Sequence, residues 1–246
     1  MRNFFVSGPL EVSQTFTITG ELMHYINNVL RFKIGMELNL LDGTGNSFQG
    51  RIIQITKNNI EIYLDKKEIL ATEPSFKVDL FQALPKGDRF DYVLEKNCEI
   101  GINSITPIFT KRTIKTFPQN QMANKVNRWE KILINAAQQS GRGMVPLIHT
   151  PLPLNDLNNI VPHYGLPLVA WEHSQNNLKT ILTNYRNPNK AMVIIGPEGG
   201  FADEEIDCLK EWGALDFSLG PRILRSDTAG LIATTILLYH YGAMEV

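Results

Sequence analysis

The sequence predicts an α/β chain: a β-rich N-terminal region followed by a mostly parallel sheet covered by helices. Two observations carry this. In the first 70 residues short apolar segments alternate or cluster between Gly and Asn breakers, whereas from Phe76 onward strand-like and helix-like stretches follow one another in turn. The chain has 246 residues, 43% of them hydrophobic and 20% charged, which supports a sizeable core and excludes disorder, collagen and coiled coil.

The first region reads as strands at Phe16–Ile18, Glu37–Leu41, Phe48–Ile55 and Ile60–Leu64, with one short helix at Glu21–Leu30. Asp42-Gly43 and Asn58-Asn59 read as hairpin turns, and strands this short suit a small barrel. A boundary is expected between Glu68 and Pro74, which divides the chain into domains 1–72 and 73–246. Beyond it come a strand at Phe76–Leu84, a helix at Asp88–Glu99 and a strand at Ile102–Phe109. A long helix over Gln121–Gln139 follows, with Met122, Val126, Trp129, Leu133 and Ala136 as its apolar stripe. Leu166–Trp171, Met192–Ile195 and Leu215–Leu219 read as buried strands; Leu178–Asn184, Asp203–Trp212 and Thr228–Tyr241 read as helices. Repeated βα units imply a mostly parallel sheet with both faces covered.

No apolar run approaches the roughly 18 residues that a membrane span needs, and no secretory signal is visible, so the expected location is cytoplasmic, with no membrane partner. Cys98 and Cys208 form no pair motif, and the five histidines show no ligand spacing, so no metal is expected. Net charge is −1, but it is unevenly spread: residues 75–150 hold 11 Lys/Arg against 6 Asp/Glu. A basic middle segment fits a polyanion-binding face, and charge alone also fits, and favours, solvated helix surfaces.

Three segments carry chemistry. Ile195-Gly196-Pro197-Glu198-Gly199-Gly200-Phe201 joins a hydrophobic strand to an acidic helix start; its glycines allow close backbone approach to a ligand, and it also fits an ordinary tight turn. Ser218-Leu219-Gly220-Pro221-Arg222-Ile223-Leu224-Arg225-Ser226-Asp227 is a second strand-to-helix loop with two arginines, suited to an anion or to acidic neighbours. Gln139-Ser140-Gly141-Arg142 closes the long helix, where a cation also suits the helix dipole. Asp42-Gly43-Thr44-Gly45 is similar to a Rossmann phosphate turn, but strand rather than helix follows it, so it reads as a hairpin.

Taken together, these segments resemble the small-subunit (16S) ribosomal RNA uridine-N3 methyltransferase E family of the SPOUT superfamily, and the resemblance spans nearly the whole chain. Met23-His24-Tyr25-Ile26-Asn27-Asn28-Val29-Leu30-Arg31, Gly35 and Leu41-Asp42-Gly43 are similar to its PUA-like domain. Lys86-Gly87-Asp88-Arg89, Glu99-Ile100-Gly101 and Thr110-Lys111-Arg112 are similar to its central motifs. The chain departs from the family at Met144, Ala202 and Asp227. Ala202 replaces the usual helix-capping Ser or Thr after GGF, which removes a capping box.

The resemblance implies a knotted SPOUT-type, mostly parallel sheet behind an N-terminal PUA-like β-barrel RNA-binding domain, with a C-terminal trefoil knot. It implies S-adenosylmethionine-dependent methylation of nitrogen 3 of a uridine in 16S ribosomal RNA, within the small ribosomal subunit, by a homodimer. By the same resemblance Arg142, Arg225 and Asp227 are the catalytic candidates. Trp171, Glu172, Gly196, Pro197, Glu198, Gly199, Gly200, Leu219, Gly220, Ile223, Leu224 and Arg225 are the cofactor-binding candidates, and Arg31, Lys86, Arg89, Lys111, Arg112 and Arg142 are the RNA-binding candidates. Two other classes stand beside this one: a non-catalytic RNA-binding protein and a Rossmann-type nucleotide-cofactor enzyme.

Overall fold

The computed structural model describes residues 2–113 and 119–245, with only the backbone of residues 119–120. The chain divides into two compact units: residues 1–73 with 137–145, and residues 74–136 with 146–246.

In the first unit, β1 (Asn3–Phe5), β2 (Thr15–Ile18), β3 (Glu37–Leu41), β4 (Asn46–Ile55) and β5 (Ile60–Ile69) form one sheet in the order β1-β3-β4-β5-β2. Only β1 pairs in parallel, with β3; this three-residue strand is too short to show an alternation in sequence. Alternate residues of β3, β4 and β5 point inward, so Leu38, Leu40, Phe48, Ile52, Ile60, Ile62 and Leu64 make one core with Phe4, Ile18 and Met23. The helix expected at Glu21–Leu30 starts as α1 (Gly20–His24) and widens into a π-turn over Tyr25–Val29, which places Ile26 in that core. Residues 137–145 join this unit through Arg142, whose guanidinium pairs with Glu73 at 2.6 Å. Gly143 N–H donates to the Thr72 hydroxyl at 3.1 Å and Met144 N–H to the Glu73 carboxylate at 3.1 Å.

The second unit contains β6 (Val78–Ala83), α2 (Arg89–Glu99), β7 (Ser104–Phe109), α3 (Gln119–Ser140, which belongs to this unit up to Ala136), β8 (Leu147–Ile148), β9 (Leu152–Pro153), β10 (Leu166–Ala170), α4 (Leu178–Asn184), β11 (Ala191–Ile195), α5 (Asp203–Glu211), β12 (Leu215–Phe217) and α6 (Ser226–His240). Seven strands form a sheet in the order β12-β10-β11-β6-β7-β8, with β9 also on β7, and every pairing is parallel. Its central strands are buried on both faces and read as continuous apolar runs, as parallel strands under two helical layers do. One face packs Phe81, Val169, Met192 and Ile194 against Leu157, Ile206 and Leu209; the other carries α6 on β6 and β11. α3 lies on α2 through an edge-to-face contact of Trp129 with Phe90, 4.8 Å between centroids.

Candidate functional site

The strand order reverses at β10. Its neighbours are β11 on one side and β12 on the other, so the loops leaving the three strands splay apart and open a crevice beyond their carboxyl ends. The crevice has a volume of about 680 Å³, within the range of small-molecule sites. Its walls are the loop from Trp171 to Leu178, the turn from Gly196 to Phe201 and the loop from Ser218 to Leu224, with Ser226, Ala229 and Ile236 of α6 completing it.

The first wall is held from below. Trp171 N–H donates to the Phe217 carbonyl at 3.0 Å and Ser218 N–H to the Asn176 carbonyl at 3.1 Å, which extends the β10–β12 pairing past the strand ends. Asp216 is buried beneath this loop, accepts from Asn176 Nδ2 at 3.1 Å and pairs with Lys210 at 3.3 Å. Burial opposes its charge, but the Ser174 hydroxyl and the Lys210 ammonium outweigh it and hold the Asp216 carboxyl below the usual aspartate value.

The second wall is the glycine turn. Gly200 N–H donates to the Pro197 carbonyl at 2.9 Å, and Gly200 has φ +71. The left-handed φ suits glycine, and a Cβ at Gly200 would have to push the Glu172 carboxylate aside. Ala202 is the residue before α5, and its methyl group has no acceptor. Half of the capping arrangement survives nonetheless: the buried Glu205 carboxylate accepts from Ala202 N–H at 2.9 Å, and also from Lys111 N–H at 2.7 Å.

Loops after β6 and β7 grip this turn from outside. Lys86 N–H donates to Glu198 Oε1 at 3.0 Å, and the Arg89 guanidinium stands 3.6 Å from the same oxygen. Arg112 Nη1 donates to the Gly199 carbonyl at 2.7 Å, and Lys111 Nζ pairs with Glu204 at 3.1 Å. The basic segment of the sequence therefore includes two loops bound to the glycine turn.

The third wall presents Leu219, Gly220, Arg222, Ile223 and Leu224 to the crevice. Arg225 is the residue before α6, and its carbonyl accepts from Thr228 N–H at 3.0 Å and Ala229 N–H at 2.8 Å. The Asp227 carboxylate accepts from Thr228 N–H at 2.8 Å.

The fold thus gathers nine of the residues singled out in the sequence on one crevice: Trp171, Glu172, Gly196, Pro197, Gly200, Leu219, Gly220, Ile223 and Leu224. Glu198, Gly199 and Arg225 stand behind its walls rather than among its lining residues. Arg31 is exposed in the first unit with φ +56, and Arg142 is 5% exposed there on Glu73. Sequence reading passed over the loop from Ser174 to Leu178, which carries no motif; Arg222, read there as suited to an anion or to acidic neighbours, lines the crevice and with Glu172 supplies the charged groups of the lining among the described residues.

Residues 72–238 match a family of RNA methyltransferase domains, and residues 18–64 match an RNA methyltransferase PUA domain. A ribosomal RNA small subunit methyltransferase E of Buchnera aphidicola is 32% identical, covering 97% of this chain and 93% of its own. A methyltransferase structure from Legionella pneumophila in complex with S-adenosylmethionine superposes with TM-score 0.89 at 30% identity, covering 96% of each chain. A ribosomal RNA small subunit methyltransferase E structure from Neisseria gonorrhoeae, bound to S-adenosylmethionine, superposes with TM-score 0.89 at 28% identity, covering 97% of each.

Proposed function

This chain belongs to the ribosomal RNA small subunit methyltransferase E family, and from that premise we propose that it transfers a methyl group from S-adenosylmethionine to nitrogen 3 of a uridine in 16S ribosomal RNA. The observation that carries the reading is the crevice beyond β10, β11 and β12, whose glycine turn is bound by two basic loops.

The crevice residues suit this cofactor. Among the described residues Glu172 and Arg222 are its charged lining groups, one of each sign, which suits a ligand that carries an ammonium, a carboxylate and a sulfonium. Trp171, Leu219, Ile223 and Leu224 supply apolar surface for the adenine. When bound, the sulfonium supplies an electrophilic methyl group. The chain's own residues then align the uracil, retain its charge and take its proton. Arg225 stabilises the uracil anion or a phosphate, because a guanidinium stays charged; Arg142 takes the same role only on release from Glu73, and Asp227 or Glu198 accepts the imide proton. Arg31, Lys86, Arg89, Lys111 and Arg112 hold RNA phosphates, and the N-terminal domain, 1–72, docks the RNA to the methyltransferase domain, 73–246.

The active species is a cytoplasmic homodimer that acts on RNA within the small ribosomal subunit, its C-terminal segment folded as a trefoil knot. The dimer reading is supported by α6, which buries Ala233 and Leu237 yet leaves Ile232, Ile236 and Tyr239 exposed. No helix among the described residues is long and apolar enough to cross a membrane.

Mass mapping of 16S ribosomal RNA from a deletion strain tests the reaction. Loss of one methyluridine, restored by the wild-type gene, is expected; an unchanged modification map rejects the reaction. Calorimetric titration separates the other two classes, because a silent RNA-binding protein binds no S-adenosylmethionine and a Rossmann-type enzyme binds a nicotinamide cofactor instead.

A further inference from the structure

Gln82 is an anomaly in the sheet. It lies in β6 with no solvent exposure, among Val78, Leu80, Phe81 and Ala83. An apolar side chain there would cost nothing in desolvation, whereas a buried amide must find partners. Its Nε2 finds two: the Ser226 hydroxyl at 2.8 Å and the Ala83 carbonyl at 3.2 Å. Its Oε1 finds no hydrogen-bond partner among the described residues and lies against α6 at Gly230, where an ideal Cβ would come within 2.7 Å of it. Exchanging the amide's N and O would set an oxygen against the Ala83 carbonyl, so this orientation is the favourable one. A buried acceptor without a partner costs about 1–3 kcal/mol, so the arrangement is not the one that stability alone would select.

What it does secure is the direction of the next bond. Because Nε2 donates to Ser226 Oγ, the Ser226 hydroxyl hydrogen is free to point at the Gly196 carbonyl, 2.5 Å away. Gly196 opens the glycine turn, and Ser226 is the first residue of α6; both line the crevice. We propose that Gln82 and Ser226 are positioning residues that set the height of the Gly196 turn for the cofactor, Gln82 acting through Ser226. This rests on the crevice being the cofactor site.

The test is calorimetry of S-adenosylmethionine on the full chain, with steady-state methylation and thermal unfolding alongside. Ser226→Ala and Gln82→Met are each expected to weaken binding about tenfold, and the double variant by about the same factor rather than a hundredfold, because both break one line of bonds. Ser226→Thr keeps the hydroxyl and is expected to bind within about threefold of wild type. The KM for the cofactor rises in step with the loss of affinity, while kcat at saturation changes less than about threefold. Gly230→Ala is the remote variant: it removes no crevice atom but pushes on the Gln82 amide, and about a threefold to tenfold loss is expected. Wild-type affinity in folded Ser226→Ala, or losses that multiply in the double variant, overturns the proposal. Should Ser226→Ala fail to fold, wild-type affinity in both Gln82→Met and Gly230→Ala overturns it equally. Hydrogen exchange of the wild-type protein keeps the two readings apart. Cofactor protection away from residues 196–200 and 219–224 rejects the crevice itself; protection there with unaltered variants rejects only the positioning role.

Discussion

The two ends of the parallel sheet carry opposite kinds of polar chemistry. At the amino ends Asp79 is buried and saturated: it accepts from Tyr164 Oη at 2.8 Å, Asn103 Nδ2 at 2.6 Å and Ser104 Oγ at 2.6 Å, with the Lys190 ammonium at 3.8 Å. Lys190 also lies 4.0 Å from the Tyr164 ring centroid. At the carboxyl ends the crevice shows two charged residues and much backbone. The denser cluster resembles an active site more closely in residue types, yet every oxygen of its acid is already used. Saturation marks a structural network, and an open, lightly charged crevice marks a place for a ligand.

That contrast can be broken most forcefully at the amino ends. Asp79→Ala leaves Tyr164, Asn103 and Ser104 with lost acceptors, and a loss of about 3 kcal/mol is expected, or about 6–12 °C in Tm for a chain of this size. Cofactor affinity of the folded protein should stay unchanged. A cofactor defect without loss of Tm would make the cluster functional and the contrast false. Tyr164 adds a sign: burial first, then the Asp79 charge and hydrogen bond, push its phenol above the usual value, so it stays neutral through the physiological range and contributes no pH dependence there.

Gly200→Val tests the carboxyl ends. A β-branched side chain at φ +71 is strained, and it displaces the Glu172 carboxylate from the turn. About a hundredfold weaker S-adenosylmethionine binding is expected, measured by calorimetry on protein whose far-ultraviolet spectrum is native. Gly199 differs: its ideal Cβ would meet Arg112 only at ordinary contact distances of 3.6 and 3.7 Å, and it is not a lining residue. Gly199→Ala should therefore cost far less than Gly200→Val, and equal losses would contradict the geometry of the turn.

The same contrast explains what could be read in advance. The glycine turn and the Leu219–Leu224 loop were legible because a strand, a Gly-Pro step and a helix start lie next to one another in sequence. The loop from Ser174 to Leu178 was not, because its support comes from Asp216, 40 residues beyond Asn176. Arg142 was legible as a cation after a long helix, but its partner Glu73 lies 69 residues earlier, and no local pattern announces that pair. The parallel sheet was legible from its βα rhythm; β1, β8 and β9 were not, being two or three residues long and defined only by their neighbours. Gln82 could be seen only once Ser226, 144 residues away, was beside it.

A smaller effect follows from Asp216. Its carboxyl is held below the usual value, so the group adds stability above the unfolded-state value near 3.8 and loses it as pH falls through the folded one. Asp216→Asn is expected to lower stability by about 1 kcal/mol at pH 7, and that deficit shrinks as pH falls from the unfolded-state value near 3.8 and is gone once pH lies below the lower folded value. Urea unfolding at a series of pH values from 7 down to about 2.5 measures it; a deficit that stays constant across the series means that Asn176 and Lys210 do not need the charge.

The smallest structural effect is expected at Lys111, where backbone and side chain do different things. Its N–H donates to the buried Glu205 carboxylate, and that bond survives any substitution except proline. Its side chain is 61% exposed and, among the described residues, pairs with the exposed Glu204 carboxylate at 3.1 Å, a pair screened by water and salt. Lys111→Ala should therefore leave Tm and cofactor affinity unchanged. If the loop after β7 faces RNA phosphate, the same variant weakens RNA binding at low salt and lowers the slope of log affinity against log salt by about one. Lys111→Pro separates the two roles, because it removes the N–H bond to Glu205 and should disturb the glycine turn as well as the RNA. An unchanged salt slope in Lys111→Ala would leave this loop a clamp on the cofactor turn alone, and would move the RNA contact to Lys86 and Arg89 on the other side of Glu198.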